Sequence, residues 1–300
     1  MLDFDRLNRR NVLLEDFFMT ILQSILLGIL QGIAEFLPIS SSGHLAVAQY
    51  LFKLDDVPLL YDVILHLATL LAVVIFFRKK ILRLLCCFGR WIARKPQTLP
   101  DDPEDLLSGN DTLGRKTIVA VICATVVTGV MGIVSSKFIP DMPIKVTCAG
   151  FIFTAALLIF SSLWQKKHEN AGAEPSQKGI SVLQSLFIGF MQGVGTLPGI
   201  SRSGSTIAGA QLAGVDRSAA GEFSFIVSIP AILGAFLLEA KDLGEVGSSV
   251  GLGAVIAGFV TAFIAGYISL AFLMKLIKKG KLEWFAVYLI PLGIAGLIFF

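Results

Sequence analysis

The sequence predicts an all-α polytopic membrane protein built from an inverted-topology repeat, with about six transmembrane helices plus two re-entrant helical hairpins. Three observations predict this fold class: a strongly apolar composition, six long apolar runs, and a motif that occurs twice. Hydrophobic residues make up 55% of the 300 residues and charged residues only 16%, whereas soluble domains carry about 25% charged residues. The mean hydropathy is +0.78. The bilayer is therefore the expected partner, and no nucleic-acid partner is expected.

Six apolar runs have about the length that a spanning helix needs, roughly 17 to 25 residues. These runs are 61–77, 116–136, 146–163, 223–239, 250–274 and 284–300.

Basic residues differ between the two sets of loops that alternate along the chain. Loops 78–115, 164–180 and 275–283 carry eight, three and four Lys or Arg residues, whereas the three loops of the other set, 50–60, 137–145 and 240–249, carry four between them. Basic loops stay in the cytoplasm, so we expect the first set inside the cell. Within 78–115, the Pro- and Asp-rich stretch PDDPEDLLSGND is typical of a solvated linker.

Two further apolar stretches are broken by proline and glycine and do not fit as spans. They are residues 20–50, broken at Pro38–Gly43, and 181–215, broken at Pro198–Gly204. The predicted orientation requires each to enter and leave on the same side, from opposite faces of the membrane. Irregular backbone at membrane depth is tolerated only where it is buried in protein or lines a wet cavity. We therefore predict a first repeat over 1–165 and a second, inverted repeat over 180–300, in one integral membrane domain.

The two broken stretches are related in sequence. At a shift of 161 positions, GILQGIAEFLPISSSGH (28–44) aligns without gaps to GFMQGVGTLPGISRSGS (189–205), with seven identical residues. Three spans follow each copy, and since three is odd, the second half should be inverted relative to the first. Inverted repeats with broken helices bind their ligand near the interface between the halves.

Each copy places serines and a glycine where a second short helix should begin. Serine suits an N-cap, and the free N–H groups and dipole of a helix N-terminus attract anions. Small residues could instead serve close helix packing in lipid. Two copies, one of which carries Arg202, favour anion binding, because an arginine at membrane depth normally has a functional partner.

The first copy adds groups that suit phosphoryl transfer. Glu35 lies four residues after Gln31, so both project from one helix face and offer hard oxygen ligands for Mg²⁺ or Ca²⁺. Ser41 and Ser42 offer hydroxyl nucleophiles, and His44 could be a general acid or base or a nucleophile. Arg202 offers a planar fork for phosphate. Glu35 could alternatively be a packing residue or a proton relay, and His44 could be structural.

The motifs QGIAEFLPISSSGH and PGISRSGST resemble the two motifs of bacterial undecaprenyl-diphosphate phosphatases of the bacitracin-resistance type. The resemblance covers nearly the whole chain from about residue 19. It implies a divalent-cation-dependent enzyme that hydrolyses undecaprenyl diphosphate to undecaprenyl phosphate and inorganic phosphate, which recycles the carrier lipid for cell-wall synthesis and gives bacitracin resistance. It also implies a multi-pass protein of the plasma (inner) membrane whose active site faces the outer side.

The resemblance also assigns residues. It implies Glu35, Ser41, His44 and Arg202 as catalytic, and Gln31 and Glu35 as metal ligands. Gln31 stands where many members have glutamate, which makes the metal site one charge poorer. The residues expected to bind substrate are Ser40, Ser42, Ser201, Ser203 and Thr206.

A second phosphatase family can be excluded. Type 2 phosphatidic-acid phosphatases need a histidine six residues after the arginine of their Ser-Arg pair, and here position 208 is alanine.

Several alternatives stay open at this point. A polyprenyl-phosphate flippase, or another anion or lipid transporter, would use the same repeat. Asp62 and His66 could line the substrate path or simply pair with each other. The nucleophile could be Ser41, His44 or water, and a homodimer is conceivable.

Overall fold

The computed structural model describes residues 19–54, 59–95, 102, 104–137, 142–170, 179–239 and 250–300. These residues form eleven helices and no strand. In chain order the helices are α1 (Ile21–Phe36), α2 (Ser41–Leu51), α3 (Leu59–Phe76), α4 (Arg78–Ile92), α5 (Asp111–Ser135), α6 (Ile144–Asn170), α7 (Val182–Val194), α8 (Arg202–Leu212), α9 (Arg217–Glu239), α10 (Leu252–Lys278) and α11 (Trp284–Phe299).

The predicted all-helical membrane fold is confirmed, and every predicted span coincides with a helix. Among the described helices, α5, α6, α9 and α10 are long and apolar enough to cross a membrane. A fifth span results if α3 and α4 count as one, although they are bent by 80° at their junction. Helix α11 has 16 residues, which is just below the spanning range of roughly 17 to 25 residues.

The prediction of 78–115 as a loop is wrong at its two ends, which are helical, and the predicted linker 100–111 lies partly outside the described residues. The first part of 78–115 is helix α4, whose apolar side buries Leu84 and Cys87. Its Lys and Arg residues lower the mean hydropathy of this segment, so a search for long apolar runs passes over an amphipathic helix. Further along, Asp105 and Ser108 are buried, because the Asp105 carboxylate accepts hydrogen bonds from the Ser108 hydroxyl and from the Lys80 ammonium on α4.

The linker carboxylate Asp105 is held in its ionised form. Burial opposes ionisation, but the hydrogen bonds from Ser108 and the charge of Lys80 outweigh it and hold the pKa of Asp105 below its usual value. Lys80 also contacts Glu222 on α9 at 2.5 Å. Asp105 therefore connects this segment to α4 and, through Lys80, to α9, whereas Asp102 and Glu104 are exposed.

Each predicted hairpin corresponds to a pair of consecutive helices, α1–α2 and α7–α8, and their re-entry into the membrane stays a prediction. Both begin with a capping box, formed by Thr20 and Gln23 in α1 and by their shift-161 counterparts Ser181 and Gln184 in α7. In both, the second helix starts at a serine N-cap whose hydroxyl accepts the N–H of a glycine three residues on. The repeated sequence thus forms the same local structure twice.

The glycines of the repeat also lie at equivalent contacts. Helix α1 packs against α10, and α7 packs against α5. A Cβ at Gly28 would lie 2.4 Å from the carbonyl oxygen of Gly258, and a Cβ at its counterpart Gly189 would lie 2.6 Å from the Cα of Ala124. Both helix pairs therefore need glycine for backbone-to-backbone approach. The inverted orientation of the halves and their boundaries stay predictions.

An aromatic cluster underlies the tips of the hairpins. Phe36, at the end of α1, packs edge-on against Phe225 of α9 with ring centroids 5.6 Å apart, and Phe77 stacks on the same Phe225 ring at 6.3 Å. Phe36 and Phe225 are each 1% exposed. The break after α1 therefore packs against α9 and the α3–α4 junction.

The glycine contacts give a stability prediction. Gly28→Ala and Gly189→Ala should each lower stability by about 1–3 kcal/mol, because the new methyl group meets backbone atoms that cannot move aside. The control is Gly129→Ala on α5, where a Cβ meets nothing within 4 Å and alanine favours the helix. Thermal unfolding in detergent measures all three. Equal melting temperatures for the three variants would contradict the packing argument.

Candidate active site

Glu35 lies one residue before the end of α1 and is the centre of a polar cluster. Its carboxylate accepts hydrogen bonds from the Ser41 hydroxyl at 2.6 Å and the Gln31 side-chain amide at 3.0 Å, and it contacts His66 Nε2 at 3.3 Å. Its other oxygen forms an ion pair with Arg202. Glu35 is 5% exposed, so these partners replace the water that a charged carboxylate would otherwise require.

The ion pair between Glu35 and Arg202 joins the tips of the two hairpins. Arg202 is the first residue of α8, and its Nη2 donates to Glu35 of α1. The tips also pack directly, since a Cβ at Gly204 would lie 3.1 Å from Pro38. The structure therefore brings the two hairpin tips into direct contact.

A cavity of about 220 Å³ lies between the tips. It is lined by the first residues of two helices, Ser41 and Ser42 of α2 and Arg202 and Ser203 of α8. The first N–H groups of a helix have no acceptor within it, and the helix dipole places partial positive charge there. Both features make the cavity a site for an anion.

Arg202 has hydrogen-bonding capacity left over. Its Nη1 is buried and has no hydrogen-bond partner among the described residues. A buried guanidinium N–H without an acceptor is costly. A phosphate group in the cavity would accept a hydrogen bond from Nη1 and a second one from another N–H of the same guanidinium group. The unsatisfied donor thus points to an anionic ligand.

Six of the residues predicted from the sequence line this cavity: Glu35, Ser41, Ser42, Ser201, Arg202 and Ser203. The structure does not bring Ser40 and Thr206 to it. The Ser40 side chain accepts the N–H of Gly43 as the cap of α2. The Thr206 hydroxyl donates to the carbonyl of Arg202 on its own helix at 2.7 Å.

His44 lies on a different side of the first hairpin. Its Nδ1 is 2.7 Å from the carbonyl oxygen of Ser40 and its Nε2 is 2.8 Å from the Tyr288 hydroxyl of α11. The ring packs between Tyr288 and Phe151 and lines a separate apolar cavity. Both ring nitrogens are engaged there, so the structure does not place His44 beside Glu35.

His66 occupies the position beside Glu35 instead. The sequence left it open whether His66 lines the substrate path or pairs with the Asp62 side chain. Its Nδ1 lies 2.7 Å from the carbonyl oxygen of Asp62, one turn earlier in α3, while the Asp62 carboxylate accepts from Gln49. His66 lines the cavity and Asp62 does not, so a role for the two residues in a substrate path stays a prediction.

Thr196 is a cavity residue that residue-type reasoning missed. It lines the cavity, and its hydroxyl donates to the Gly193 carbonyl at 2.7 Å and lies 3.3 Å from the Ser135 hydroxyl. The shift of 161 could have found it, because Thr196 is the counterpart of Glu35. The two halves thus contribute equivalent positions with different chemistry.

The residues around Glu35 fit a divalent cation only together with ligand oxygens. Glu35 and Gln31 provide hard oxygen donors, and Gln31 Oε1 is buried without a hydrogen-bond partner within the described part of the chain. Those residues include no group of three or more His, Cys, Asp or Glu side chains that could hold a metal ion. Phosphate oxygens would have to complete the coordination.

Fold and site together define a polytopic membrane protein with a cavity at the meeting point of two helical hairpins, lined by two helix N-termini and by the Glu35–Arg202 ion pair. The family model described as bacitracin resistance protein BacA matches residues 24–295, and the chain belongs to that family. A relative from Treponema denticola, named undecaprenyl-diphosphatase, is 48% identical over 94% of this chain and 98% of its own. A relative with the same name from Carboxydothermus hydrogenoformans is 35% identical over 92% of this chain and 96% of its own. Another with that name, from Methanobrevibacter smithii, is 37% identical over 92% of this chain and 96% of its own.

The ion pair gives a prediction of thermodynamic coupling. Glu35→Gln leaves the Arg202 charge buried without its partner, and removing one member of a buried pair costs about 3–5 kcal/mol. Arg202→Met should cost a similar amount. The double variant should be destabilised by less than the two single effects together, with coupling of about 1–3 kcal/mol. A double-mutant cycle of thermal unfolding in detergent tests this, and strictly additive losses would show that the pair does not hold the tips together.

Proposed function

We infer that this protein hydrolyses undecaprenyl diphosphate to undecaprenyl phosphate and inorganic phosphate. The activity recycles the carrier lipid for cell-wall synthesis and gives bacitracin resistance. One observation carries the inference: a hydroxyl in contact with a buried carboxylate, Ser41 and Glu35, faces Arg202 between two helix N-termini. Membership of the bacitracin resistance family and the name shared by the relatives support the same substrate.

The chemistry follows from this geometry. An attacking hydroxyl, from Ser41 or from a water beside it, transfers its proton to Glu35 as it approaches the terminal phosphorus. Arg202 and the N–H groups that begin α2 and α8 stabilise the negative charge on the phosphoryl oxygens. The bond to the bridging oxygen breaks, and the lipid leaves as its monophosphate. When water attacks, the other product is inorganic phosphate. When Ser41 attacks, the phosphoryl group is bound to its oxygen, and a water that gives its proton to a base then hydrolyses this phosphoserine to free serine and inorganic phosphate. His44 takes no part in this scheme, because its ring nitrogens are bonded to Ser40 and Tyr288.

We further propose that Mg²⁺ or Ca²⁺ takes part, held by Glu35 and Gln31 together with substrate oxygens. A bound cation would neutralise phosphate charge and polarise the phosphorus–oxygen bonds. The unsatisfied Gln31 Oε1 supports the proposal. Gln192, the counterpart of Gln31, also has an unsatisfied Oε1, but Thr196 stands where the first repeat has its carboxylate. We therefore assign the metal to the first repeat alone.

The competing hypothesis is a flippase or an anion carrier. It would use the repeat, the helix ends and Arg202 equally well. It would not need a hydroxyl hydrogen-bonded to a carboxylate, as Ser41 is to Glu35. This contact favours hydrolysis over simple passage of the ligand.

We place the protein in the bacterial plasma membrane, with the cavity open to the outer side. The distribution of basic residues supports this orientation. A homodimer is also part of the hypothesis, and light scattering of the detergent-solubilised protein would test it.

The first activity prediction concerns Arg202. Arg202→Lys keeps the positive charge but loses the planar guanidinium group that donates two hydrogen bonds side by side. Phosphate release should therefore fall about 10- to 150-fold, the effect of losing one charge-assisted hydrogen bond. Arg202→Ala should lose more. Steady-state phosphate release from undecaprenyl diphosphate measures both variants, with Arg78→Lys and Arg78→Ala, at an exposed arginine, as matched controls. Normal turnover in a well-folded Arg202→Ala variant would favour the hypothesis of a flippase or anion carrier.

The second activity prediction concerns Glu35 and the cation. Glu35→Gln should reduce phosphate release by about 100-fold or more, because it removes the proton acceptor and the carboxylate ligand. Gln31→Glu should stay active with Mg²⁺ but become more sensitive to a chelator, since two adjacent carboxylates need a cation between them. Glu104→Gln, at an exposed site, is the control. A wild-type rate that no chelator changes would refute the metal proposal without touching the hydrolase proposal.

The orientation can be checked by labelling. In a background without the four native cysteines, Lys137→Cys should react with an impermeant thiol reagent added to intact cells, and Lys279→Cys should react only after lysis. Both positions are exposed. Labelling of position 279 in intact cells would reverse the orientation and place the cavity on the cytoplasmic side.

A further inference from the structure

The cavity between the hairpin tips has an apolar wall contributed by a single helix. Most of its other lining is polar or charged and comes from α1, α2, α3 and α8 with the turn before it. Helix α9 contributes Ala231, Ile232 and Ala235, which carry no polar side-chain atom. A headgroup alone would not require such a wall, whereas an isoprenoid chain attached to it would.

Two residues that line the cavity are exposed in different surroundings, from which we infer two openings of different chemistry. Among the described residues that line it, only Ser42 and Ala235 are exposed, and all others are buried or half-buried. Ser42 lies at the N-terminus of α2, at a polar rim. Ala235 lies on α9, where Leu233 and Leu238 are 43% and 63% exposed and so belong to the lipid-facing surface of the protein. One opening therefore suits water and inorganic phosphate, and the other suits a hydrocarbon chain.

Small side chains keep the apolar opening wide. Ala231 and Ala235 are four residues apart, which places them on one face of α9. Pro230 immediately precedes this face and removes a backbone hydrogen bond from the helix. Larger residues at 231 and 235 would project into the gap between α9 and the headgroup site.

We propose that Ala231 and Ala235 of α9 form the portal through which the polyprenyl chain of the substrate leaves the headgroup cavity. The proposal rests on the hydrolase function proposed above and adds the position of the tail to it. The portal binds the first isoprene units, so the enzyme is selective for diphosphates that carry a polyprenyl chain. The headgroup chemistry stays with the residues of the hairpin tips.

Steady-state kinetics with undecaprenyl diphosphate, at a fixed detergent concentration, test the portal first. Ala235→Phe should raise KM about tenfold or more, because the new ring occupies the tail's path, while kcat stays within about twofold since the reacting groups are untouched. Ala231→Phe should act in the same direction. The matched control is Leu237→Phe, because position 237 is 73% exposed on the same helix but does not line the cavity. Melting temperatures establish that each variant is folded.

Photocrosslinking gives a readout that needs no turnover. A benzophenone-bearing residue at position 235 should crosslink to undecaprenyl phosphate in detergent, and unlabelled undecaprenyl phosphate should suppress the product. The same residue at position 237 should crosslink weakly and without specific competition.

The outcomes separate the two proposals. A raised KM at position 235 with specific crosslinking supports the portal. Equal kinetics for the variants at 235 and 237, or equal crosslinking at both, overturns it even if the hydrolase function stands. If the wild-type protein releases no phosphate, the hydrolase function fails, and crosslinking still decides whether the tail passes Ala235.

Discussion

The ion pair between Glu35 and Arg202 is the interaction on which the rest of the site depends. Each charge lies at the break of one hairpin, and neither would be tolerated in an apolar interior without the other. Pairing them requires the two tips to meet. Once they meet, the N-termini of α2 and α8 face one cavity, because each helix begins directly after its break.

The close approach of the tips depends in turn on small residues along the hairpins. Gly28 and Gly189 let α1 and α7 pack backbone to backbone against α10 and α5. Gly204 lies against Pro38 at the tips themselves. The glycines therefore allow the helices that carry Glu35 and Arg202 to pack closely, which links the packing of the bundle to the electrostatics of the site.

The two halves use one backbone framework for different chemistry. Glu35 and Thr196 are counterparts, and so are Ser41 and Arg202, and all four line the same cavity. The first half thus supplies the carboxylate and the hydroxyl, and the second supplies the fixed positive charge. A symmetric pair of glutamates would repel a phosphate, whereas this asymmetric set can hold and activate it. The neutral wall of α9 completes the cavity on the side where no polar group is needed.

Sequence alone determined the helical membrane fold, the two broken helices and the identity of the tip residues. These follow from local signals: apolar length, proline and glycine breaks, and a repeat at a fixed shift. It also predicted Glu35, Ser41 and Arg202 as parts of one catalytic site, from the repeat, the chemistry of phosphoryl transfer and the family resemblance. That Glu35 and Arg202 pair directly came from the structure. Only the tertiary structure decided the directions of side chains around the site. His44 turns to Tyr288 and His66 turns to Glu35, because the direction of a side chain depends on neighbouring helices that are distant in sequence.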